Sequence, residues 1–314
     1  MNSYRRLTRE NRLLIASMRL FSPNQYRISQ QIGCSQSAIS QEIARNSING
    51  VYDFEKAQKL ADSRIVKRKK RVLGDIRITD FVKNELQKRR SPSQIAVLAQ
   101  KIGLQVKKSS IYSYINQNPE LKKFKKHRKY RKRSHHQASK HGIPDRVSIL
   151  ERPEKANTRE EFGHLEIDFV ISPHGSTACV LSCRERKTRY PIFIKLDNKT
   201  ELKTTEAIKN HLLLDWVKSF STDNDKSFVG HSVIKSLTGI PTYFTSPSAP
   251  YEKGAIEQLN KELRVYFPKG TDFREVSQAD LDRVADNLRT APMRCLDWMT
   301  PQEAFERELA LNST

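Results

Sequence analysis

Residues 165–172 read Leu-Glu-Ile-Asp-Phe-Val-Ile-Ser, a short apolar run carrying two acids. Length and composition predict a strand, with Asp168 in its middle. A carboxylate in an apolar strand is costly unless it is paired or binds metal. Two further strands are predicted after it, Thr177–Cys183 and Pro191–Leu196, joined by short connections. A helix over about 201–217 then leads to a short strand, Ser219–Thr222, that delivers Asp223 to its end. A helix over about 226–237, a strand from Pro241 to Thr245 and a long helix from Ala255 follow, and Glu257 opens that last helix. Three successive strands and then alternating helix and strand predict an α/β domain with a mixed sheet.

Any one of these acids alone reads as solvated surface. Together, Asp168, Asp223 and Glu257 sit where a strand centre, a strand end and a helix start can present them to one point. Three converging carboxylates suit hard divalent cations, Mg²⁺ or Mn²⁺ in its place. Two ions about 3.5–4 Å apart serve an in-line phosphoryl displacement. In this reading Asp168 bridges both ions, and Asp223 and Glu257 each hold one. Such a site hydrolyses a phosphodiester and then uses the freed 3′-hydroxyl against a second strand, without a covalent intermediate.

The charge points the same way. The chain has 314 residues and a net charge of +22. Residues 1–150 hold 34 Lys and Arg against 10 Asp and Glu, whereas 151–314 hold 23 against 25. The whole excess therefore lies in the N-terminal half, which predicts a polyanion as partner. No apolar stretch approaches the roughly 20 residues that span a bilayer, and the start lacks a signal-peptide pattern. Cys179 and Cys183 lie in a strand-like run with no second Cys/His pair, which favours buried thiols over metal.

Within the basic half, a helix is predicted over 7–20, capped by Thr8, with Leu13, Leu14, Ile15, Met18 and Leu20 as its apolar face. A second covers 26–32, Gly33-Cys34 turns the chain, and Ser35 caps a third over 36–45. This is the helix-turn-helix pattern. Ala38, Ile39 and Ile43 are expected in its core. Gln36, Ser37, Ser40, Gln41 and Arg45 are expected to face the major groove or its phosphates. A plain three-helix bundle would show the same periodicity; the local charge favours DNA. A helix over 54–73 ends in a basic run. Helices over 78–89, from Ser91-Pro92 and over 108–115 form a second, less clear unit of the same kind. Residues 122–133 then hold Lys122, Lys123, Lys125, Lys126, Arg128, Lys129, Arg131, Lys132 and Arg133 with two aromatics between them. No apolar face is available there, so this is a linker, and its charge density favours one that lies along phosphates.

With these residues in view, the chain resembles the IS-thirty family of bacterial insertion-sequence transposases. The likeness covers nearly the whole length. It includes Ala38–Asn46, Ser91–Ile95, Arg146–Ile149, Gly163-His164 before Asp168, Thr222–Asn224, Tyr266–Asp272, Leu296–Glu303, and the 33 residues between Asp223 and Glu257. The resemblance implies N-terminal helix-turn-helix units followed by a ribonuclease H-like, integrase-like catalytic domain. It also implies binding of terminal inverted repeats and target DNA, assembly into at least a dimer, and Mg²⁺-dependent strand transfer at an Asp-Asp-Glu triad. A cytoplasmic place on bacterial nucleoid DNA follows. The expected parts are a helix-turn-helix domain over 1–73, a second such unit over 74–120, a basic linker over 121–151 and a catalytic domain over 152–314. The sequence departs from the family pattern at Leu165, Asp225, Ser227, Ile256 and Gln258, all beside the triad but none in it. Asp225 is an extra carboxylate that either competes for metal or sits in solvent; solvent is preferred. His164 is expected to be a packing residue rather than a metal ligand. The rival reading is a DNA-binding regulator derived from such an enzyme, weak or inactive in cutting. A non-mobile nuclease on the same fold is a third.

Overall fold

The structure is a computed structural model that describes residues 7–70, 73–124, 143–212, 215–247 and 249–312. The chain divides into two compact units, Met1–Phe81 with Ser109–Pro119, and Val82–Lys108 with Glu120–Thr314.

The first unit opens with α1 (Arg9–Phe21), α2 (Gln25–Ile32) and α3 (Gln36–Asn46), followed by α4 (Phe54–Lys70). Each of the first three starts carries its cap. The Thr8 hydroxyl and the Asn11 side chain form a reciprocal box on α1, Asn24 caps α2 and Ser35 caps α3. Between α2 and α3 the chain reverses at Gly33 with φ 74°, a left-handed conformation that glycine adopts without penalty. Ile15, Ile28, Ile39, Tyr52 and Ala57 form the core. Leu13 and Leu20, expected in the apolar face of α1, are exposed. The buried stripe of α1 instead includes Arg12, whose guanidinium pairs with Glu42 and donates to Gln58. Gln36, Ser37, Ser40, Gln41 and Arg45 are all exposed, Ile39 is buried, and Ala38 and Ile43 are partly so.

Next come α5 (Ile76–Gln87), α6 (Pro92–Lys101) and α7 (Lys108–Gln117). Ser91 and Gln94 box the start of α6, with Pro92 at its first position, where a missing N–H costs nothing. In the second unit α6 is tied to the C-terminal segments. Arg90 donates to Thr290, Gln94 to the Pro292 carbonyl, and Lys101 pairs with Glu303.

The second unit is built on six strands: β1 (Val147–Ser148), β2 (His164–Ile171), β3 (Cys179–Glu185), β4 (Pro191–Leu196), β5 (Ser219–Thr222) and β6 (Thr242–Phe244). Their order is β1-β6-β5-β2-β3-β4. β2 is central, antiparallel to β3 and parallel to β5. The helices are α8 (Glu154–Thr158), α9 (Glu201–His211), α10 (His231–Thr238), α11 (Gly254–Tyr266), α12 (Gln278–Arg289) and α13 (Pro301–Asn312). Strand alternation divides the core in two. Leu165, Ile167, Cys179, Cys183 and Phe220 face one cluster with Ala207 and Ile208 of α9 and Ile234 of α10; Val170, Val180 and Phe193 face the other with α11 and α12. The two cysteines are free, buried thiols. Gly163 precedes β2 at φ 104°, where an added Cβ would stand 2.3 Å from the Trp216 carbonyl, so only glycine fits.

The expected 226–237 helix is in fact a short 3-10 turn, Lys226–Phe228, and then α10, separated at Gly230. Strand β1 was not expected; two residues are too few for a periodicity to show. Among the described residues no helix is long and apolar enough to cross a membrane.

Candidate active site

The register of β2 against β5 decides where the first two acids stand. Glu166 pairs with Ser221. By strand alternation Asp168 points to the same face of β2 as Glu166, and Asp223 follows directly on Thr222, the last residue of β5. That face receives the N-terminal turns of α11. Lys253, just before α11, reaches both acids, with its Nζ 3.5 Å from Asp168 Oδ1 and 3.3 Å from Asp223 Oδ2. Asn260 of α11 donates to Asp168 Oδ2 at 2.8 Å and accepts from the Ser182 hydroxyl, which also donates to the Asp168 carbonyl. Burial pushes the Asp168 carboxyl above the usual carboxylate range; Lys253 draws it back and Asp223 pushes it further up. Asp223 Oδ1 is buried and has no hydrogen-bond partner among the described residues.

Glu257 lies between Lys253 and Asn260 on the same face, at helical spacings of four and three residues. Its carboxylate is turned to Lys261, 3.5 Å away. Asp168 and Asp223 thus meet on one ammonium, while Glu257 stands alongside without joining them. Among the described residues no three acidic, His or Cys side chains stand at metal-ligand spacing. The electrostatic reason is visible: three anions close together need compensating charge, and Lys253 and Lys261 divide it two to one. The donors nevertheless suit Mg²⁺ or Mn²⁺. They are hard oxygens, the point between the aspartates already attracts a cation, and one aspartate oxygen lacks a partner.

The layer beneath is a buried charge network. Glu166 is fully buried, ion-paired to Arg186, and accepts from the Ile256 backbone N–H at the start of α11. Arg152 donates to Ser221 and Asn157; burial and nearby Arg186 lower its pKa to about 10. The loop after Asp223 is clamped by Arg146, which donates to Asn224 and to the Thr245 carbonyl; Asn224 donates to the same carbonyl.

The departures from the family pattern find ordinary roles. Leu165 and Ile256 are core residues, and Gln258 donates to Glu262. Asp225, expected in solvent, is half-buried instead. Burial opposes its charge, yet hydrogen bonds from Lys199 and from Ser227 hold its pKa below the usual range, so it caps the 3-10 turn at Lys226 and stays charged. His164 is the packing residue expected, bonded to Ser219 and Glu161. Burial lowers its pKa while Glu161 works against that. A base with a depressed folded pKa contributes stability that is present above its ordinary value near 6.5 and lost as pH falls from there to the folded value. The urea midpoint of the wild type is expected to fall between about pH 6.5 and the lower folded value, and His164→Asn to flatten that segment. Parallel curves for the two proteins would remove His164 from the account.

Sequence reasoning missed Lys253, Asn260 and Arg146. The spacing of Lys253 and Asn260 from Glu257 was a usable signal for the first two. Arg146 stood out only as part of the Arg146–Ile149 likeness, with nothing to mark its role, since only folding brings it to Asn224, 78 residues along the chain. Of the basic run, Lys122 and Lys123 fall in the 3-10 helix Pro119–Phe124; Lys125, Lys126, Arg128, Lys129, Arg131, Lys132 and Arg133 lie outside the described residues.

The order and directions of the five strands β2 to β6, with acids on the central strand and just after its parallel neighbour, define a ribonuclease H-like core. The chain is 32% identical over 325 residues to the transposase for insertion sequence element IS4351 of Bacteroides fragilis, covering 98% of this chain and 97% of that one. It is 27% identical to the transposase for IS1086 of Cupriavidus metallidurans, over 98% and 96%. It is 28% identical to transposase InsI for IS30A of Escherichia coli, over 90% and 79%. The chain belongs to the IS30 family of insertion-sequence transposases. No family model matches it. Among solved structures the catalytic core of BIV integrase aligns with TM-score 0.39 at 16% identity, over 48% of this chain and 97% of that one.

Proposed function

We propose that this transposase cuts and joins DNA strands at Asp168, Asp223 and Glu257 with two Mg²⁺ ions, for which Mn²⁺ substitutes. The observation that carries the reading is the pair of aspartates, one on β2 and one directly after its parallel neighbour β5, brought to one cationic point, with Glu257 one helical turn from each of the residues that grip Asp168. Asp168, Asp223 and Glu257 would hold the ions, which supply charge stabilisation and activation of the attacking oxygen. Asn260 and Ser182 fix Asp168. Lys253 balances the aspartates' charge and, moved aside, is placed to meet a phosphate oxygen. Arg146 keeps Asp223 at its strand end, so the donors need little reorganisation as charge builds on the scissile phosphate.

In this proposal residues 1–73 and 74–120 read the terminal inverted repeats, 121–151 follow the backbone, and 152–314 carry the chemistry. The protein would act as at least a dimer on nucleoid DNA in the cytoplasm. Incubating the full chain with repeat-ended duplex, target plasmid and Mg²⁺ should yield joined products. Cut ends without joining would indicate a nuclease, and binding without cutting a regulator.

Neutralising the cations of 122–133 is expected to weaken binding to repeat and random DNA alike and to flatten the salt dependence by about 0.9 for each phosphate no longer neutralised. Replacing Gln36 or Ser40 with Ala should relax sequence choice and leave the slope unchanged, because base recognition specifies while phosphate recognition positions. Competition binding at several salt concentrations measures both, and equal losses on specific and random DNA from both sets would end the division of labour.

A further inference from the structure

A second polar cleft lies on the other side of α11. Glu262 and Tyr266 line it, and at 100° per residue they stand about 140° and 180° around the helix from Glu257. It is a shallow cleft open to solvent, and its wall includes Lys88, Arg89, Arg90, Arg184 and Arg189. Among the described residues, five cations thus face one lining carboxylate, Glu262. Glu85 offsets two of them, by pairing with Lys88 and Arg90. Glu262 reaches Arg184 only at 3.6 Å.

The donors are left over as well as the charge. Arg90 is 7% exposed, and its buried Nε has no hydrogen-bond partner among the described residues, although its other nitrogens reach Glu85 and Thr290. A buried donor without an acceptor is destabilising, so its persistence calls for an explanation. Arg189 sits in the turn between β3 and β4 with φ 64°, and among the described residues its guanidinium makes no hydrogen bond or ion pair. The buried Arg184 has its pKa lowered first by burial; Glu262 opposes this and Arg189 adds to it. Cations kept close and partly dry, with a free guanidinium fork at Arg189 and a spare Nε at Arg90, are the arrangement that binds phosphoryl oxygens.

We propose that the cleft bounded by Arg90, Arg184 and Arg189 is a phosphoryl-anion site, separate from the carboxylate site. Its ligand is a DNA backbone phosphate or a free phosphate. The DNA source rests on the function proposed above; the anion site itself does not. Held there, a phosphodiester would be gripped jointly by the α5–α6 turn and the β3–β4 turn.

The test uses the full-length wild type, Arg189→Gln and Arg189→Lys. In one arm, thermal melting is followed as inorganic phosphate replaces chloride at constant ionic strength, without DNA. Phosphate should raise the wild-type Tm through binding to the folded state, with the shift lost in Arg189→Gln and partly kept in Arg189→Lys. In the other arm, affinity for repeat-ended duplex is measured against salt. Arg189→Gln should reduce the slope of log K against log salt by about 0.9. Loss in the phosphate arm alone supports the site with a free phosphate as ligand, and loss in the slope alone supports it with DNA. Unchanged behaviour of Arg189→Gln in both arms overturns it. The Tm shift given by Mg²⁺ on the same samples reports the carboxylate site separately, so failure there and failure of the cleft are told apart.

Discussion

Asp168→Asn is expected to abolish Mg²⁺-dependent cleavage and joining while end binding stays within about twofold. The loss should be on the order of 10³-fold or more, because removing a shared anionic ligand forfeits several kcal/mol of charge stabilisation at the reacting phosphate. The fold should survive. Asparagine keeps an oxygen for the Asn260 amide, and the Ser182 hydroxyl bonds the backbone carbonyl rather than the side chain. Burial already works against the charged form of Asp168, so removing that charge should leave the Tm unchanged or raise it. Gel assays of cleavage, a binding titration and a melting curve on one preparation decide the matter. Normal cleavage by Asp168→Asn would sink the proposed chemistry; a joint fall in binding and Tm would contradict the predicted separation of catalysis from folding.

The second large effect is on stability. Glu166→Leu removes the carboxylate that pairs with Arg186 and accepts from the first turn of α11. It leaves a buried guanidinium and a helix N-terminus without their anion. Breaking one side of a buried pair costs about 3–5 kcal/mol, a large part of the roughly 5–15 kcal/mol that holds a domain folded. Urea unfolding should show this as a fall in midpoint with little change in slope. Activity under folding conditions should also fall, since α11 carries both Asn260 and Glu257. The double variant Glu166→Leu, Arg186→Met should recover much of the stability, as no lone charge remains. Equal destabilisation by the single and double variants would mean that the ion pair is not the source of the effect.

Glu166 also illustrates what was hidden in the chain. In Leu-Glu-Ile-Asp the two acids are equivalent by pattern, both pointing to one face of a strand. Their environments separate them. Glu166 lies beneath the start of α11 and is neutralised by Arg186, while Asp168 reaches the edge where Asp223, Lys253 and Asn260 meet. The strand sequence, the helix caps at Thr8, Ser35 and Ser91, and the buried cysteines could be read directly, because they depend on neighbours within a few residues. Leu13 and Leu20 misled for the complementary reason: periodicity marks an apolar stripe, but only the packed helices decide how wide a stripe is covered. Asp225 misled because its partner, Lys199, lies 26 residues away.

The amino-acid order alone determined the element types, the mixed sheet, the basic N-terminal half and the three acids with their spacing, since propensity, alternation and net charge are local or additive properties. Only the tertiary structure decided that Asp168 and Asp223 share Lys253, that Glu257 turns to Lys261, and that Arg90, Arg184 and Arg189 gather around one cleft. Those outcomes depend on strand register and on which helix face is covered, and both are set by packing between segments far apart in the chain.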